Sequence, residues 1–182
     1  MGTKTIRRAS IAVIAAALAV ALTGCGASTP TIYPHDVTDK SDAEMYAVLN
    51  DTIDATGGLT AWRMWASNDP LDAPVTRGMA SGDCVPTDPL GLQGDTMGEY
   101  DGALLNSTNA RPPKEVVPAG VKVWEAAGYD VATKYANDIT YVRASRGGEH
   151  PTFSLSYSGR NTDKPMQFEL RAQSICQSYE DE

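Results

Sequence analysis

Twelve apolar residues, Ile11 to Leu22, run without a break near the start of the chain. This run decides which part of the sequence has a fold to explain. Lys4, Arg7 and Arg8 precede it, and Thr23-Gly24-Cys25 follow it. A basic start, an apolar stretch and a small-residue cleavage site form the order of a secretory signal peptide, which is removed from the mature protein. A membrane-spanning helix needs about 20 apolar residues, so a retained span would have to extend back through Ala9 and Ser10. That alternative stays open. Arg7-Arg8 raises twin-arginine export, but the flanking Ile6 and Ala9-Ser10-Ile11 match the longer motif poorly, and the general secretion route is the expectation.

Removing residues 1–24 from the 182 leaves 158, enough for one domain with a real core. The leader holds three of the 15 Lys and Arg and none of the 23 Asp and Glu, so the remainder carries 12 against 23, a net charge of −11. Such a body is repelled by nucleic-acid phosphates and by anionic lipid. Nucleic acid is therefore excluded as a partner, and charge cannot hold the protein at a membrane.

Leu22-Thr23-Gly24-Cys25 resembles the lipobox of bacterial lipoproteins, in which a Leu, two small residues and a Cys close the signal peptide. The resemblance implies a diacylglycerol on the Cys25 thiol, cleavage after Gly24, and attachment to the outer face of the cell membrane. Two acyl chains provide stable anchoring where one gives only marginal binding. The alternative is a free or disulfide-bonded cysteine that happens to follow an apolar run.

With Cys25 lipidated, Cys84 and Cys176 are left as an even pair in an oxidising compartment, and a disulfide between them is predicted. A metal pair or a catalytic thiol is the other reading. Neither cysteine has a CxxC partner or an adjacent histidine, and no metal or cofactor is expected.

Residues 25–40 read as a lipidated flexible tether, rich in Ser, Thr, Pro and Gly. The folded domain is placed at 41–182. Ser41 and Glu44 form a capping box, after which Met45, Val48, Leu49, Thr52 and Ile53 recur at helical spacing up to Gly57-Gly58. Leu59 to Ser67 leans to a strand, with Trp62 and Met64 on one face. Pro86 to Pro113, with its prolines and glycines, reads as one long loop; its acids Asp88, Asp95, Glu99 and Asp101 read as solvated rather than calcium-binding. A second helix is expected over Glu115 to Tyr129, with Pro118 in its first turn and Val121 and Trp124 on its buried side. Ile139 to Ala144, Thr152 to Ser158 and Met166 to Ala172 alternate in polarity and read as an antiparallel meander. Ser154, Ser156 and Ser158 make one sheet face polar, so one face should be wet and the other covered by helices. The expected class is α+β: about three C-terminal strands plus one or two more, packed against two helices, with one disulfide.

The lipobox Leu22 to Cys25, the Trp-containing helix ending in Gly128-Tyr129, and the terminal strands running into Ser174-Ile175-Cys176 together resemble small actinobacterial envelope lipoproteins of the mycobacterial LppA type. Outside the lipobox these motifs cover the last third of the chain. The resemblance implies an α+β domain and carries over no catalytic residue.

Enzymatic signatures are sparse. The histidines are His35, in the tether, and His150, in a turn between two strands where exposure is expected. GxSxG and HExxH are both absent from the sequence. The reading is a non-catalytic binding module at the envelope, with Trp62, Trp65 and Trp124 as a candidate aromatic surface for a glycan or peptide, against the alternative that these rings are core. A structural or accessory protein docking another exported protein is the second class, and a hydrolase the third.

Overall fold

The computed structural model describes residues 32–76, 81–84 and 98–178. Its first helix, α1 (His35–Ala55), carries the expected buried stripe of Met45, Val48, Leu49, Thr52 and Ile53. It begins six residues before Ser41, however. Pro34 occupies the N-cap with no side-chain cap, and Ser41 is buried inside the helix, where its hydroxyl accepts a hydrogen bond from the Ile175 N–H at 3.4 Å. The capping box does not form. Pro34, with its fixed φ, starts the helix six residues earlier, and Glu44 is used elsewhere. Residues 32–40, read as tether, are thus a short strand, β1 (Ile32–Tyr33), and the opening turns of α1.

The second helix, α2 (Pro113–Ala126), also starts early, with Pro113 in the first turn and Pro118 in the helix interior. Pro113, Val116, Gly120 and Trp124 form its buried side. Gly120 lets the helix lie close against the sheet: a Cβ there would lie 2.9 Å from Leu155 Cδ1, which would have to shift, and 3.7 Å from the methyls of Thr52 and Thr56. Both helices cover the same sheet, as the polar face on its serine strand anticipated.

The sheet is built around β4 (Gly98–Ser107). One edge of β4 pairs antiparallel with β2 (Trp62–Met64) and β3 (Ser81–Cys84). The other edge pairs with β8 (Phe168–Gln173) and β9 (Cys176–Ser178). Beyond β8 follow β7 (Thr152–Ser158), β6 (Ile139–Ser145) and β5 (Asp130–Ala136), and β1 lies parallel on β9. The class is α+β, an antiparallel sheet with two helices, as expected, but it has more strands than the sequence reading foresaw.

Besides the short strands β1 and β9, two longer elements were missed, for physical reasons. β4 falls inside the stretch read as a loop, because Asp101-Gly102 interrupts it like a turn and Ala103-Leu104-Leu105 blurs the alternation. Gly102 is there because a Cβ would meet the Ala172 carbonyl at 3.0 Å across the strand pair. β5 has only weakly apolar alternation. Its signal is the two-residue turn Asn137-Asp138, both at positive φ (50° and 59°), which closes the β5–β6 hairpin with a twist that matches the strands.

Cys84 and Cys176 are disulfide-bonded, with Cα atoms 6.0 Å apart. They lie on strands that flank β4 on opposite edges, which in a flat sheet would be about 9.5 Å apart. The sheet therefore curls at this end, and the bridge closes over β4. On the chain-entropy model a loop this long is worth about 4 to 5 kcal/mol of constraint on the unfolded chain.

The inner face buries Leu105, Leu170, Leu155 and Val142 as one row of register partners, with Phe153, Tyr157 and Phe168 beside it. Below them, α1 and its C-cap Thr56 supply two hydroxyls one turn apart. Thr52 Oγ1 donates to the Val48 carbonyl at 2.7 Å and accepts from Trp124 Nε1 at 3.0 Å. Thr56 Oγ1 donates to the Thr52 carbonyl at 2.6 Å and accepts from Trp62 Nε1 at 3.0 Å. Each buried indole N–H is thereby satisfied, as burial of a donor demands.

Candidate functional site

The tryptophans do not form a surface. Trp62 and Trp124 are 1% and 0% exposed and belong to the core, while Trp65 is 56% exposed on its own after β2. The aromatic trio proposed as a binding surface is therefore corrected: two of its members are spent on packing and on the threonine hydrogen bonds. Cys25 lies outside the described residues.

His150 is not solvent-exposed decoration either. Its Nδ1 lies 2.8 Å from Glu44 Oε2, and the Tyr129 hydroxyl donates to Glu44 Oε1 at 2.8 Å. Arg146 reaches the same carboxylate at 3.3 Å, donates to the Ala127 carbonyl at 3.1 Å, and lies 5.9 Å from the Tyr129 ring centroid. Burial pushes the Glu44 carboxyl up, but the hydrogen bonds from His150 and Tyr129 and the charges of His150 and Arg146 outweigh it and hold the group below its ordinary value. Tyr129 is pushed well above the usual phenol range, first by burial and then by its bond to Glu44, so it stays protonated. A histidine paired with a carboxylate resembles half of a catalytic relay. Among the described residues, however, no serine, threonine or cysteine hydrogen-bonds to His150. The cluster fastens the β6–β7 turn and the end of α2 to α1. It reads as a structural clasp.

The other face of the sheet is different. The helices cover one side only, and the opposite side of β5 to β8 is an open concavity of about 720 Å³. Strand alternation decides what lines it. Positions one residue out of step with the buried set put Ala132 and Lys134 of β5, Tyr141 and Arg143 of β6, Ser154 and Ser156 of β7, and Glu169 and Arg171 of β8 into the groove. The register sorts these into two rows. One reads Ala132, Arg143, Ser154, Arg171 and Leu104; the next reads Lys134, Tyr141, Ser156, Glu169 and Asn106. Ser154 and Ser156 on β7 are short, and the β6 and β8 side chains on either side of them, Arg143, Tyr141, Arg171 and Glu169, are long. A second depression of about 210 Å³, with Tyr100 and Leu104, continues from Arg171 and Gln173 across β4.

Charge in the groove runs against the rest of the molecule. Lys134, Arg143 and Arg171 face one carboxylate, Glu169, in a protein whose net charge is −8 over all 182 residues. Arg171 lies 3.5 Å from Glu169, with both side chains well exposed. Among the described residues Arg143 and Lys134 have no ion pair. Tyr141 offers a ring that is 37% exposed, unusual for so large a side chain on this surface.

The sequence reading picked out the serines of β7 and the wet face they imply, but not the residues beside them. The alternation that buries Val142 and Ala144 already projects Tyr141 and Arg143 outward, and the one that buries Leu170 and Ala172 projects Glu169 and Arg171. What one sequence does not contain is the register that sets Arg143 and Arg171 on either side of the same serine.

Among the described residues no group of three or more His, Cys, Asp or Glu side chains could hold a metal ion, and no helix is long and apolar enough to cross a membrane. Neither a family model, nor a curated protein, nor a solved structure matches the chain.

Proposed function

We propose that this chain is an exported lipoprotein, anchored at the outer face of the cell membrane by diacylglycerol on Cys25, that acts without catalysis as a ligand-binding module. The observation that carries the binding part is the open groove, lined by arginines, serines and Tyr141, on the uncovered face of the sheet. Its volume falls in the range of about 300–1,000 Å³ typical of small-molecule sites, and it sits on strands, which hold side chains more rigidly than loops do. The signal-peptide pattern and the lipobox support the anchor.

The fold shortens the tether this reading requires. From Cys25 to Ile32 there are seven Cα steps, so a fully extended chain reaches at most about 25 Å. Ile32 pairs in register with Cys176, one half of the disulfide. The lipid would thus enter the fold at its covalently locked end and keep the domain close to the bilayer.

Two measurements test the reading. Fatty-acid labelling in a bacterial host should mark the wild type and not Cys25→Ser; equal labelling of both removes the anchor. For binding, ligand-observed NMR with a library of polar small molecules should find binders to the detergent-extracted protein. Ser156→Trp, which fills the groove floor, should lose them while keeping its thermal midpoint. Binders retained by the filled variant, or none with the wild type, would remove the groove from the account.

A further inference from the structure

We infer that the groove takes a ligand bearing an oxyanion, a phosphate or carboxylate on a hydroxylated, saccharide-sized frame, with the anion held between Arg143 and Arg171 over the Ser154 hydroxyl. The inference rests on the proposed binding role of this face and names what it binds.

The argument begins with register. Arg143 and Arg171 are both partners of Ser154, one on each side, so their Cα atoms are about 9.5 Å apart, twice the strand spacing. Each side chain is long enough to reach the midline, and both line the same groove. Guanidinium forks match carboxylate and phosphate oxygens in geometry, two N–H groups to two oxygens. A short serine between two arginines leaves room for the anion and adds a hydroxyl donor beneath it. The same constellation in a convex or crowded surface would be an ordinary solvated pair.

Charge is the second step. Acidic proteins gain solubility from a uniform negative surface, and gathering three cations in one concavity works against that. Arg143 and Lys134 have no ion pair among the described residues, so fold stability does not account for their placement. The field of the groove is opposite to that of the body, which steers an anion to this face and away from others.

The adjoining row narrows the class. Ser156 continues the hydroxyl floor and Tyr141 supplies a ring at the flank, a pairing suited to a frame with hydroxyls on its edge and C–H groups on its face. Glu169, 3.5 Å from Arg171, would repel a second charge on that side. The site therefore fits a discrete anion better than an extended polyanion. A bilayer is a poor occupant, because its surface is not shaped to enter a concavity and the body repels anionic lipid. An added peptide strand would need a free sheet edge, whereas this groove crosses the strands.

The test uses the detergent-extracted protein, with ¹⁵N-labelled arginine and backbone, titrated with glucose 6-phosphate, glucuronate and glucose. Both anions should shift the Arg143 and Arg171 Nε–H signals and the Ser154 amide, with affinity that falls as salt rises. Arg143→Ala and Arg171→Ala should each weaken binding by about tenfold or more, as expected for loss of a charge-assisted hydrogen bond. Arg143→Lys should recover only part, since it restores charge without the fork. Lys122→Ala, on the exposed side of α2, should change nothing. If glucose binds the same face as tightly as the anions, the oxyanion inference falls while the binding module stands. If none of the three shifts the groove signals, both fall. If Lys122→Ala weakens the anions as much as Arg143→Ala does, the effect is diffuse screening and the inference is overturned.

Discussion

The two faces of one sheet are made from alternate residues of the same strands, yet they are built on opposite terms. On the inner face Leu105, Leu170, Leu155 and Val142 are buried in a single row and every large side chain has a neighbour. On the outer face the residues next to them in sequence, Leu104, Arg171, Ser154 and Arg143, form a parallel row open to solvent. The inner row explains why the chain folds. The outer row has no such explanation, since a small hydroxyl between two exposed arginines does little for packing. A region that packing does not explain, and that is charged against the average of the molecule, is where a function is most economically placed.

The largest effect that would break this comparison lies on the inner face. Leu155 is fully buried, central to its row, and the closest side-chain neighbour of Gly120 on α2. Leu155→Ala should cost about 2 to 5 kcal/mol, the transfer term plus the cavity it leaves, measured by chemical denaturation under non-reducing conditions. A loss below about 1 kcal/mol would mean that the helix layer is not held by this row, and the division of labour between the faces would fail.

A smaller effect sharpens the boundary, at the clasp where the helix layer meets the sheet rim. Glu44→Gln keeps the shape and removes the charge that Tyr129, His150 and Arg146 share. It should cost about 1 to 2 kcal/mol at neutral pH. Because Glu44 is held below its ordinary value of 4.5 in the fold, the stabilisation is complete above that pH and is lost as pH falls through the lower folded value. Wild type and variant should therefore differ at pH 6 and converge only as pH falls through the lowered folded value of Glu44. Equal stability at neutral pH would show that the clasp contributes nothing and release His150 for another role.

How much of this was legible beforehand varies with how local the signal is. The stripe of Met45, Val48, Leu49 and Ile53 depends on neighbours three and four residues apart, and it was read correctly although the capping box that accompanied it was not. The disulfide was legible from the even cysteine pair left once Cys25 is set aside, and β6, β7 and β8 from their alternation. β4 was illegible because the residues that make it a central strand, Gly102 above all, are explained by contacts with β8 some 70 residues away. The Trp62 and Trp124 rings looked equally fit for a surface or a core. What decided them was the pair of hydroxyls at Thr52 and Thr56, which only the packing of α1 against both rings brings into reach. The arginine pair needed register across three strands.

The smallest expected effect is the most discriminating. The double substitution Arg143→Ala/Arg171→Ala removes both cations of the outer row, and it should change stability by no more than about 0.5 kcal/mol. Arg143 has no ion pair among the described residues, and Arg171 has an exposed contact with Glu169 at 3.5 Å, a type of pair worth little in water. Losing positive charge from an acidic protein also raises self-repulsion only slightly at physiological salt, where the screening length is about 8 Å. Denaturation midpoint and slope should both match the wild type, the slope because no change in buried area accompanies the substitution. If instead the double variant is destabilised by more than about 1 kcal/mol, the outer row is part of what holds the sheet, and its charge is explained by folding. If it is as stable as the wild type, any loss of anion binding in that variant belongs to the site itself.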